Sequence, residues 1–104
     1  MRPSKRLVLD RQRYRVLSSD AVINLTPVEF DLLIYLLDHH GRAISTYELL
    51  HKVWGYPAGS GSANLVRSHI RRLRMKIEPD PGNPRYILNL PGHGYLLAAD
   101  AFLR

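Results

Sequence analysis

The stretch Ser62-Ala63-Asn64-Leu65-Val66-Arg67-Ser68-His69-Ile70-Arg71-Arg72-Leu73-Arg74-Met75-Lys76-Ile77-Glu78 decides the fold. Ser62 can cap a helix by accepting from its first amides, and Pro79 ends that helix at about Glu78. At 100° of rotation per residue, Val66, Ile70, Leu73 and Ile77 fall within about 60° of one another, a stripe that faces a core. Asn64, Ser68, Arg71, Arg72 and Met75 lie opposite, while Arg67, Arg71 and Arg74 form a cationic row along one flank. A helix that only solvates itself gains from mixed charges at i,i+4, yet no acid precedes Glu78 here. The face suits a polyanion. An α-helix fits the DNA major groove, where Arg forks onto guanine, Asn pairs with adenine, Ser reaches several base edges and flanking Arg holds phosphates.

Working outward, the residues before this helix predict two more. Thr26-Pro27-Val28-Glu29 supplies a Thr cap, a Pro at the first helical position and a Glu to close a capping box. Phe30, Leu33, Ile34 and Leu37 then form the core stripe, and Gly41 is placed for a left-handed cap. Ser45-Thr46-Tyr47-Glu48 repeats the capping-box pattern, and Leu49, Leu50, Val53 and Trp54 follow in a shorter amphipathic helix stopped by Gly55. Residues 55–61, with four helix breakers, read as a loop. Upstream, Leu7–Leu9, Tyr14–Leu17 and Val22–Leu25 read as an antiparallel meander. Downstream, Tyr86–Leu90 and Tyr95–Leu97 flank Pro91-Gly92-His93-Gly94, a hairpin by spacing and turn chemistry. Two helices joined by a tight turn, a third basic helix and a Gly-tipped hairpin follow the order of a winged helix-turn-helix.

The predicted fold class is therefore α+β, one domain over residues 1–104. It comprises a linker end at 1–6, an N-terminal antiparallel sheet at 7–25, a three-helix core at 26–78 and a hairpin wing at 85–98. A chain of 104 residues, 45% hydrophobic, supports one core and excludes a catalytic domain joined to a cofactor domain. The net charge of +6 is concentrated in two blocks. Residues 1–15 hold six basic groups against one acid, and residues 62–78 hold five against one. Arg2, Lys5 and Arg6 read as a linker end rather than a phosphate arm.

Other chemistries find little footing. There is no cysteine, so no disulfide framework, and a cytosolic protein is expected. The longest apolar run, Leu32–Leu37, is far short of the roughly 20 residues that span a bilayer, so no membrane partner is expected. His39 and His40 are adjacent at a helix end, where they favour its C-terminus, and no His-Glu-x-x-His spacing occurs; no metal site is expected. Gly92-His93-Gly94 leads into a strand and no Gly-Lys-Ser/Thr exists, so no nucleotide cofactor is expected. Ser45, Ser60 and Ser62 read as caps or loop residues, and an enzyme is not expected.

Four pieces carry a family resemblance in register. They are Leu25-Thr26-Pro27-Val28-Glu29-Phe30-Asp31-Leu32-Leu33; Glu48-Leu49-Leu50 leading to Val53-Trp54-Gly55; His69-Ile70-Arg71-Arg72-Leu73-Arg74-Met75-Lys76-Ile77; and Gly92-His93-Gly94-Tyr95. From Leu7 to Leu97 the chain resembles the effector domain of the OmpR/PhoB family of bacterial two-component response regulators. The resemblance implies a four-stranded N-terminal sheet and a transcription factor that binds double-stranded promoter DNA. It also implies a receiver domain N-terminal to this segment, and RNA polymerase as a partner of the loop 55–61.

By the same resemblance Arg72 reads bases, with Ser68 and Asn64 beside it. Trp54, Arg67, His69, Arg71, Arg74, Lys76 and Tyr95 are the expected phosphate contacts. Two positions depart from the family's pattern: Asn64 stands where many members carry Arg, and Pro91 where the wing often offers one. Asn89 and His93 are the wing's remaining candidates, and its sequence reading is expected to be weak. Two rivals stay open at this point, a winged-helix module that binds protein and the DNA-binding part of a larger activator without a receiver.

Overall fold

The computed structural model describes residues 7–18, 20–98 and 102–103. Strands β1 (Leu7–Asp10), β2 (Arg15–Leu17) and β3 (Val22–Asn24) are followed by helices α1 (Pro27–Asp38), α2 (Thr46–Lys52) and α3 (Ala63–Ile77). Strands β4 (Ile87–Leu90) and β5 (Gly94–Leu97) form the hairpin, and β6 (Phe102–Leu103) ends the series. The expected meander is antiparallel, with Leu9 opposite Val16 and Val16 opposite Ile23. The sheet has four strands, but its fourth comes from the far end of the chain. β6 lies parallel to β1, Leu7 beside Phe102, in the order β3-β2-β1-β6. This corrects the expectation of a wholly N-terminal, antiparallel sheet. A two-residue strand has no periodicity to read, and its place follows from the edge that β1 leaves open. The basic groups Arg2, Lys5 and Arg6 lie outside the described residues. No helix among the described residues is long and apolar enough to cross a membrane.

Helix α1 has its full capping box: Glu29 N–H donates to Thr26 Oγ1 at 3.2 Å, and Thr26 N–H to Glu29 Oε1 at 2.9 Å. Its apolar side is broader than the predicted stripe. Leu32 and Leu36 are fully buried with Leu33, Leu37 and Phe30, whereas Ile34 is only half-buried. On a helical projection that arc covers about 160°, because the helix is covered by packing on more than one side. Gly41 adopts φ +80, two residues beyond the His39 cap, and its N–H donates to Leu97 O at 3.2 Å. Its role is to tie the turn to β5 rather than to close the helix. His39 Nδ1 meets the carbonyl of Tyr35 at 2.8 Å, at the helix end where a histidine was expected to act.

In α2 the capping box is only half made. Ser45 Oγ accepts from Glu48 N–H at 3.1 Å, but the Glu48 carboxylate is taken by Tyr35 Oη–H at 2.6 Å and Arg42 Nη2 at 2.9 Å. An ion pair outweighs an amide cap, which the spacing alone cannot reveal. The helix also stops at Lys52, leaving Val53 and Trp54 half-buried in the turn that follows.

Besides the Gly41 bond to Leu97, the hairpin is fastened at three points. Ile44, in the connector between α1 and α2, exchanges two backbone hydrogen bonds with Tyr95, at 2.7 and 2.9 Å. Gly94 makes this approach possible, since at φ +123 a Cβ there would stand 2.0 Å from Ile44 O. Glu78, one residue past α3, is buried and accepts from the amides of Arg85 (2.8 Å), Tyr86 (3.0 Å) and Ile87 (2.7 Å). Arg74 adds the third tie, its Nη2 donating to Ile87 O at 2.8 Å.

Gly94→Ala is expected to cost at least about 3 kcal/mol, because strain and collision fall on one backbone position. At the hairpin tip, Gly92 has φ +80 with nothing within 4 Å of an added Cβ, so Gly92→Ala should cost only the left-handed penalty, about 1–2 kcal/mol. Urea unfolding midpoints of the two variants check the contrast; equal losses would contradict the Ile44 contact.

Candidate nucleic-acid interface

The outer face of α3 and the near side of the hairpin border a groove of about 1040 Å³. It brings together Asn64, Arg67, Ser68, Arg71, Arg72, Arg74, Met75, Asn89 and Tyr95, nine residues from elements separated by a turn and a strand. The apolar stripe predicted for α3 is buried as expected, with Val66, Ile70, Leu73 and Ile77 at 5% exposure or less. The face opposite it is therefore turned to solvent. Arg71 and Arg72 are exposed, and their guanidiniums make no hydrogen bond or ion pair with the described residues.

Other side chains on this face are already engaged. Arg67 Nη1 donates to Asn64 Oδ1 at 2.6 Å. A guanidinium can only donate, so the amide oxygen is its partner, with one lone pair and the NH₂ of Asn64 left over. Ser68 Oγ–H donates to Leu65 O at 3.0 Å, leaving the hydroxyl oxygen as an exposed acceptor.

Two of the expected phosphate contacts have partners within the protein. Lys76 Nζ lies 2.6 Å from Glu29 Oε1 and 3.1 Å from Asn24 O, and it does not line the groove. Burial pushes the Glu29 carboxyl up, but the Lys76 ammonium and the Thr26 amide outweigh it and hold the group below its ordinary value. Glu29 falls in the middle of the buried arc of α1, so a cation must reach it, and Lys76 is that cation. Arg74 borders the groove but is half-buried, with Nε and Nη2 both on Ile87 O and the guanidinium 5.9 Å from the Tyr95 ring centre. It is a strut between α3 and β4 before it is a hand for phosphate.

The remaining candidates divide. Tyr95 is 7% exposed, its backbone bonded to Ile44, so little beyond its hydroxyl is left for a ligand. Trp54 and His69 meet edge to face at 5.1 Å, and His69 Nδ1 is 2.9 Å from Leu65 O, which leaves Nε2 as the outward nitrogen. Asn89 reaches the groove; His93, at the exposed tip, does not line it. The sequence reading missed Glu78. A lone acid at the end of a basic helix was the available signal, and its three amide partners lie seven to nine residues on.

Residues 20–97 match the family described as "Transcriptional regulatory protein, C terminal". The chain belongs to this family. It is 41% identical over 91 residues to the DNA-binding dual master transcriptional regulator RpaA of Synechocystis, covering 88% of this chain and 37% of that protein. The response regulator DrrB of Thermotoga maritima, an OmpR/PhoB homolog, superposes with a TM-score of 0.76 at 32% identity, over 86% of this chain and 40% of that one. The Klebsiella pneumoniae RstA DNA-binding domain, solved in complex with the RstA box, superposes with a TM-score of 0.77 at 26% identity, over 88% and 89%. The chain thus spans little more than a third of the length of the curated relatives it matches.

Lys76→Met should lower stability at pH 7 by about 1–3 kcal/mol, discounted for the partial exposure of the pair. The folded carboxyl of Glu29 titrates below its unfolded counterpart, so the pair stabilises above the ordinary carboxylate value and the gain is lost as pH falls through the lowered one. The deficit of the variant should therefore shrink on acidification. Urea unfolding at pH 7 and pH 3 checks this, and a deficit that grows at pH 3 would contradict the pairing.

Proposed function

We propose that this chain is the DNA-reading effector segment of a transcriptional regulator, with α3 in the major groove of double-stranded promoter DNA and the hairpin beside it. The observation that carries the reading is the pair Arg71 and Arg72, exposed and unengaged among the described residues, on a helix with no acid from residue 62 to 77. Two uncompensated guanidiniums facing a groove are unfavourable for a surface that only meets water and suited to one that meets phosphates and guanine edges. Arg72 takes the base edges, with Ser68 and the Asn64 amide alongside. Arg71 and Arg67 take phosphates on the flank, joined by His69 Nε2, the Trp54 edge and the Tyr95 hydroxyl. Asn89 and the mostly buried Tyr95 are the hairpin residues that line the groove, consistent with a supporting rather than a reading role. No catalytic step belongs to this proposal.

The longer relatives support a further domain in the parent protein, and we assign it as a receiver lying N-terminal to this segment in a cytoplasmic response regulator. The loop 55–61 is assigned to RNA polymerase contact. Its support is a defined shape: Tyr56 N–H donates to Leu50 O at 3.1 Å, the His51 ring meets Tyr56 O at 2.7 Å, and the Tyr56 side chain is 40% exposed.

Selection of duplexes from a random library followed by anisotropy titrations in rising potassium chloride tests the reading. With about five to seven phosphates engaged, log K should fall with log salt at about −0.9 per phosphate, and a flat response would instead favour a protein-binding module. Arg72→Ala should lose roughly 1–3 kcal/mol and relax preference at one base, whereas Arg71→Ala should weaken all duplexes alike and reduce the slope by about one. Identical behaviour of the two variants would refute the division of roles.

A further inference from the structure

We propose that Met75 is a specificity-determining residue that reads the 5-methyl group of a thymine in the major groove. This rests on the DNA-binding reading above and deepens it. Met75 is 64% exposed, more than Val22, Tyr47 or Tyr14, and it lines the groove beside the arginines. It does not belong to the core stripe. On the helical projection it lies about 140° from Ile70 and within about 60° of Asn64, Ser68, Arg71 and Arg72, on their side of the helix and one turn beyond Arg71 and Arg72. A single exposed apolar residue on a solvated surface is ordinary. One that lines a groove next to two uncompensated arginines has a ligand of mixed chemistry to meet.

The neighbours define that ligand. Arg71 and Arg72, about one helical turn before Met75, only donate. In the major groove thymine is the base that places an acceptor, O4, beside a methyl group; guanine offers two acceptors and no methyl, and adenine and cytosine both present amino donors. A donor next to an apolar thioether therefore complements thymine better than any other base. The cationic surroundings supply the charge complementarity that brings a duplex here. Met75 stands three residues beyond Arg72, about 4.5 Å along the axis, comparable with the 3.4 Å base-pair step. The thymine is accordingly assigned to the base pair next to the one read by Arg72.

The test uses the duplex selected by the whole chain, with each thymine replaced singly by deoxyuridine, which removes the 5-methyl alone. One replacement should weaken wild-type binding about fourfold, the worth of one buried methyl, and leave Met75→Ala binding unchanged. At that position cytosine should bind more weakly than 5-methylcytosine to wild type and equally to Met75→Ala. Met75→Lys, which adds a donor without touching the core, should shift the selected base there from thymine to guanine. If no thymine is methyl-sensitive, or if Met75→Ala keeps the sensitivity, Met75 is not the reader. If no duplex is selected at all, it is the DNA-binding reading that has failed, and the two failures are thereby told apart.

Discussion

One buried carboxylate decides where the hairpin stands. Glu78 leaves α3 with extended backbone at ψ 139, and both its oxygens are saturated by successive amides at the start of β4. A carboxylate inside a protein is costly unless every lone pair is used, and amides pointing at it are otherwise costly themselves. The two costs cancel only in this arrangement. The last turn of the basic helix and the first residues of the hairpin therefore keep a fixed relation, and the groove between them exists because they do.

The other ties add to that one without repeating it. Ile44 meets Tyr95 only because position 94 has no Cβ, so the connector between α1 and α2 becomes a third strand segment beside the hairpin. Arg74 spends its guanidinium on a β4 carbonyl and lies over the Tyr95 ring. Charge that looks available in the sequence is thus partly committed to architecture. On the groove face, the guanidiniums left uncommitted among the described residues are those of Arg71 and Arg72.

Much of this is legible in the sequence, for reasons that are local. Capping residues at Thr26, Ser45 and Ser62, the stripe of α3 and the hairpin turn are written within a few neighbouring positions, and each appears where its spacing puts it. What cannot be read there is non-local. Lys76 meets Glu29 across 47 residues, β6 closes a sheet begun at Leu7, and Glu78 chooses amides on the far side of a Pro-Gly turn. The bond from Arg67 to Asn64, one helical turn apart, is local but depends on rotamers that residue type does not give.

The Lys76–Glu29 pair, which draws an ammonium to the back of α3 and away from any phosphate, has a consequence for how such a domain changes its target. It grips α3 from behind through α1 and the end of β3, while Glu78 and Arg74 grip the same helix from the hairpin side. Held on two bearings, the helix cannot roll to re-aim its outer face. Posture and vocabulary are thereby separated: on the proposed reading, substitutions at positions 64, 68, 72 and 75 change the outer face of α3 while the contacts that hold the helix, made by Lys76, Glu78 and Arg74, stay in place.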